Sequence, residues 1–147
     1  MLYTIGHGKL PMDTLLRRLQ ASGVRTVLDV RSQPHSSRSP QFSRAELEAE
    51  LIANGIGYRW LGEHLGGKAL GPDRPAPIDD ADLLSAGITE AVALARGATS
   101  ALLCAELDPA HCHRETVLAD RFEAEGFALV HILEDGSTEP HQSTLGL

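Results

Sequence analysis

The chain has 147 residues, enough for one compact domain with a real core and too few for two ordinary ones. Hydrophobic residues make up 42% and charged residues 22%, the balance of a soluble globular protein, and no apolar run is long enough to span a bilayer. The formal net charge of -7 argues against a broad phosphate-gripping face. The opening "MLYTIGH" carries no secretion signal, and two cysteines in such a chain point to reduced thiols, so a cytoplasmic location is expected.

In chain order, "LYTIG" reads as a first strand and "DTLLRRLQASG" as a helix with Leu15, Leu16 and Leu19 on one face. "VRTVLDV" is a continuous β-branched run, the pattern of a strand buried on both faces. Ser43 and Glu46 form a capping-box pattern that opens a helix "RAELEAELIANG". "IGYRWL" is a shorter third strand. The Gly- and Pro-rich "GEHLGGKALGPDRPAPIDD" is a long excursion. A helix follows from about Asp80 to Arg96, then a fourth strand in "TSALLCAEL", the loop "DPAHCH", a helix "RETVLADRFEAEG" and a fifth strand "FALVHIL".

Strands alternating with helices predict an α/β fold. The expected form is a single three-layer domain over residues 1–133, with a mostly parallel five-stranded sheet and helices on both faces. Residues 134–147 read as a polar C-terminal tail. Ligands in such folds bind beyond the carboxyl ends of the strands. The loops at that rim carry His7, Arg31, Ser36, Arg38, Glu106, Cys112, His113 and Arg114. Acids concentrate in the helices, so the rim is a small cationic site on an acidic body.

The motifs "TIGHG", "LDVRSQPHSSRSPQF", "GIGYRWLGEHLGG" and "LLCAELDPAHCHR" come in the order and spacing of the family called domain of unknown function 488, which the chain resembles over nearly its whole length. Gly8 stands where that family usually has serine. The resemblance implies an α/β fold and a motif set, and no settled reaction. A strand ending in Cys104 before a loop and a helix is also similar in outline to rhodanese sulfurtransferases, at the level of fold alone.

Three chemistries compete for "HCHR". Metal binding could draw on Cys104, Cys112, His113 and His7, but the Cys-x7-Cys-His spacing is poor, so no structural metal and no cofactor are expected. A thiol site would use Cys112 near the start of a helix, with His111, His113 and Arg114 favouring the thiolate, while Cys104 packs in the core. An anion cradle would combine Arg114 with Arg31, Ser36 and Arg38, unless Asp29 and Glu106 simply brace those arginines. Glu106 or His7 could move a proton. The leading expectation is an enzyme acting on a phosphate-bearing or other anionic substrate, such as a nucleotide or nucleic-acid end. His7, Glu106, Cys112 and His113 would be catalytic, and Arg31, Ser36, Arg38 and Arg114 would hold the anion. The alternatives are a non-catalytic anion- or partner-binding module and a metal-binding Cys/His site. A membrane partner is not expected, and the sequence leaves the oligomer open.

Overall fold

The computed structural model describes residues 1–35, 37–67, 76–105 and 113–142, with 113–116 described as backbone only. Its strands are β1 (Leu2–Gly6), β2 (Thr26–Asp29), β3 (Gly57–Trp60), β4 (Ser100–Cys104), β5 (Leu129–Ile132) and β6 (Thr138–Pro140). They form one sheet in the order β3-β2-β4-β1-β5-β6. All pairings among β1 to β5 are parallel, and β6 alone returns antiparallel, against β5. β4 lies between β2 and β1, and all five of its residues are buried. The edge strand β3 instead alternates exposed and half-buried positions, as an edge covered on one face should.

The helices are α1 (Met12–Ala21), α2 (Arg44–Ala53), a single turn α3 (Gly62–Leu65), α4 (Ala81–Gly97) and α5 (His113–Ala124). They sort to two faces because strand side chains alternate. On one face, Ile5, Val27, Ala101, Leu103 and Ile132 of the sheet pack with Leu15 and Leu19 of α1 and Leu47 and Leu51 of α2. On the other, Leu2, Leu28, Leu102, Cys104 and Leu129 pack with Leu65, Ile88, Ala91, Leu118 and Phe122. Cys104 is thus a buried core residue. The chain is α/β with helices on both faces, as the alternation of elements required.

Local signals explain most boundaries. Asp80 caps α4, its carboxylate accepting from the amides of Asp82 (3.0 Å) and Leu83 (3.2 Å). Gly23, at φ 71°, lets the chain leave α1 through the left-handed region. Ser43 does occupy the N-cap position of α2, but it makes no side-chain cap bond: its hydroxyl lies 3.4 Å from His35 Nδ1.

Two expectations need correction. Among the described residues the sheet has six strands, one more than expected, because Thr138–Pro140, within the stretch read as a tail, pairs with β5 from Val130 to Ile132. A turn at Gly136 (φ 88°) makes that return possible. The Gly- and Pro-rich excursion, where described, contains α3 and a 3-10 turn at Pro77–Asp79, packed against α4. No helix among the described residues is long and apolar enough to cross a membrane.

Candidate active site at the carboxyl ends of the strands

Because β4 lies between β1 and β2, the loops following those two strands flank the exit of β4. Backbone bonds prolong the pairing beyond the strands. His7 N donates to Cys104 O (3.0 Å), Gly8 N to Ala105 O (2.9 Å) and Val30 N to Leu103 O (3.0 Å). His7 and Arg31 therefore flank the end of β4. These two side chains, 24 positions apart in sequence, meet at the rim, with Arg31 Nη1 3.3 Å from His7 Nε2.

Arg31 is held by a buried network. Its Nε and Nη2 donate to the two carboxylate oxygens of Asp29, at 2.9 and 2.7 Å, a bidentate pair in which Asp29 is 0% and Arg31 4% exposed. Asp29 also accepts from the Arg31 backbone amide (3.1 Å) and from the Tyr58 hydroxyl (2.5 Å). Arg31 Nη1 donates to the carbonyl of Phe42 (2.7 Å), tying the β2 loop to the 3-10 turn at Pro40–Phe42. Of the five donors of a guanidinium, four thereby have protein partners among the described residues. The sequence offered bracing by Asp29 as an alternative to anion binding by Arg31, and this geometry is that of bracing.

The partners of His7 fix its tautomer. A carbonyl can only accept, so Nδ1–H donates to Gly8 O (2.9 Å) and Nε2 carries the lone pair that faces Arg31. Gly8 adopts φ 46°, a left-handed conformation that serine reaches at a cost, and its carbonyl also accepts from Ser39 (3.3 Å). The imidazole packs on the Phe42 ring with centroids 4.6 Å apart. Burial lowers the His7 pKa below its ordinary value, and the Arg31 cation lowers it further, against the opposing Gly8 bond. Burial works against the Arg31 charge, but its bonds to Asp29 prevail and hold it above the ordinary arginine value. Burial and the Asp29 charge raise the Tyr58 phenol, which stays protonated. At neutral pH the knot thus holds one cation, one anion, a neutral histidine and a neutral phenol.

Below it, α3 packs against the β2 loop through close backbone approach. Trp60 Nε1 donates to Arg31 O (2.8 Å), and a Cβ placed on Gly62 would stand 1.8 Å from that same oxygen. Arg44 covers the outer Trp60 ring at 5.2 Å from its centroid.

Among the residues singled out from sequence, His7 and Arg31 are brought together, and Arg38 is exposed on the adjoining loop. His113 and Arg114 open α5, and only their backbone is described; Ser36, Glu106 and Cys112 lie outside the described residues. Tyr58 was missed. Its signal was available in principle, because a tyrosine two positions before the end of a strand beside β2 shares a face with Asp29. A groove of about 580 Å³ lies between α1 and α2, with Gln41 of the Pro40–Phe42 turn in its lining. Asp13, Glu46 and Glu50 line it, which suits no anion.

No curated protein and no solved structure matches the chain. A family model does match, over residues 11–121, so that "TIGHG" precedes the matched region while the Asp29–Arg31 and Tyr58–Gly62 segments fall within it. That match covers more than half of the chain, and the protein belongs to the family described as domain of unknown function DUF488.

Proposed function

We propose that the rim is an enzymatic site for a phosphate-bearing or otherwise anionic substrate, with nucleotides and nucleic-acid ends as the first classes to try. The observation that carries this reading is the contact of His7 with Arg31 across the exit of β4. In this reading Arg31 is a positioning residue more than an anion ligand, since four of its five donors are already engaged. Anion contacts fall to Arg38, Ser36 and Arg114, the last beside the N-terminus of α5, where free amides and the helix dipole favour negative charge.

His7 is unprotonated at neutral pH, the state required of a general base, and Nε2 is its basic atom. An anion bound near Arg31 would offset the cation that depresses His7 and so raise its proton affinity. Substrate binding and proton uptake would then be coupled. Glu106 is the second candidate for proton transfer, and Cys112 and His113 complete the site as nucleophile or wall.

The test is a turnover screen of the purified chain against nucleotides, sugar phosphates and single-stranded DNA and RNA. Turnover of one anionic class is expected, falling about 10²–10⁴-fold in His7→Gln or Glu106→Gln while binding persists. Saturable binding without turnover across the whole panel would assign a non-catalytic anion-binding module. Neither binding nor turnover would remove the reading.

A further inference from the structure

On the sheet face opposite the His7 network, five side chains from β1, β5, α5 and the residue after β6 form a second polar chain. Thr4 of β1 and His131 of β5 are register partners, and Thr4 Oγ1 lies 2.5 Å from His131 Nδ1. His131 Nε2 lies 3.0 Å from Nδ1 of His141, the residue that follows β6. The far nitrogen of His141 points at α5. Its Nε2 is 3.2 Å from Asp120 Oδ1 and 3.4 Å from Glu123 Oε1. Asp120 and Glu123, three apart on the helix, present their carboxylates on one face.

We infer that Asp120, Glu123 and His141 form a divalent transition-metal site, with His131 as the outer group that orients His141. Three observations support it. The three donor atoms lie within 4.8 Å of one another. The two nitrogen–oxygen separations match the edge of a tetrahedron around zinc, roughly 3.3 Å for metal bonds of about 2.0–2.1 Å. Glu123 Oε1 is buried, and no hydrogen bond reaches it among the described residues, as befits an oxygen reserved for a cation.

The donor chemistry narrows the ion. Two carboxylates and a neutral imidazole balance a 2+ charge, and the imidazole nitrogen favours zinc and its neighbours over magnesium or calcium. Metal-bound histidine usually donates its other N–H to an acceptor. Here His141 Nδ1–H would donate to His131 Nε2, and His131 Nδ1–H to Thr4, which satisfies every ring nitrogen. Three protein donors leave coordination positions open to solvent. The site joins the last helix to the last strand and shares no residue with the rim. It is also distinct from any ligand set drawn from "HCHR".

The full chain, stripped by a chelator, is titrated with Zn²⁺ by calorimetry and with Co²⁺ by absorption. One saturable Zn²⁺ site per chain is expected, lost in Glu123→Gln and in His141→Gln and unchanged in Cys112→Ser. Thr4→Val, which touches only the outer bond, should weaken it about 10–100-fold. If His141→Gln fails to fold by circular dichroism, the Co²⁺ spectrum of the unaltered chain decides. Ligand-field bands without a thiolate charge-transfer band support the site. A thiolate band, loss of binding in Cys112→Ser, binding that persists in both ligand variants, or no saturable binding would each overturn it.

Discussion

The two faces of the sheet each bury histidine, in opposite electrostatic company. On the α1/α2 face, His7 turns its lone pair to a guanidinium that Asp29 locks in place. On the α5 face, His141 turns its outer nitrogen to two carboxylates, with His131 behind it. The first arrangement is closed: cation and anion are paired, and the imidazole is an acceptor without charge. The second is open, because carboxylate outweighs cation. A buried histidine therefore says little by itself. The sign of its nearest charged neighbour decides whether it is held as a base or offered to a cation.

Breaking the closed network should have the largest effect. Asp29→Asn leaves the Arg31 cation buried with its bidentate partner lost, and should cost about 3–5 kcal/mol by urea unfolding. The double variant Asp29→Asn, Arg31→Met should be less destabilised than Asp29→Asn alone, because the stranded charge is gone. Equal losses would mean that Arg31 finds water once Asp29 is changed. Tyr58→Phe removes one hydrogen bond to the same carboxylate while leaving the ion pair, and about 1.5–3 kcal/mol is expected. In Gly62→Ala the new methyl meets the Arg31 carbonyl, which cannot move without disturbing the network. A loss of about 1–3 kcal/mol, seen as a lower melting temperature, should follow. A neutral Gly62→Ala would show that α3 adjusts independently of the β2 loop.

A smaller effect sharpens the comparison through pH. Burial first, and His141 second, lower His131 to about 4, while burial and Arg31 lower His7. A lowered histidine binds its proton more weakly folded than unfolded. Its stabilisation is full above about 6.5 and is lost as pH falls through the folded pKa, by at most about 1.4 kcal/mol per pH unit per group. Unfolding free energy should therefore decline below pH 6.5, and His131→Gln should flatten that decline down to about pH 4. An unchanged slope would place the linkage on other groups.

Much of this was legible in the sequence for identifiable reasons. Hydrophobic periodicity set the elements, because Leu15, Leu16 and Leu19 repeat at helical spacing and "SALLC" has room for no exposed residue. Topology then brought the loops after β1 and β2 together, which is why His7 and Arg31 could be named in advance. What escaped were relations at a distance. Tyr58 sits on an edge strand and gains its role only from the register of β3 with β2. His131, His141, Asp120 and Glu123 carry no joint spacing, since a helix, a strand and the chain beyond β6 supply them. The sixth strand was hidden because three exposed residues, one of them Pro140, give no hydrophobic signal.

The most direct test of the closed network is a nitrogen-15 NMR titration of the His7 ring in the full chain, assigned with His7→Gln. The expected result is a neutral imidazole at pH 7, protonated at Nδ1, with Nε2 showing the shift of a bare acceptor and a pKa below 6.5. A ring protonated at Nε2, or a pKa above 6.5, would contradict the pairing of His7 with Arg31 on which the proposed site is built.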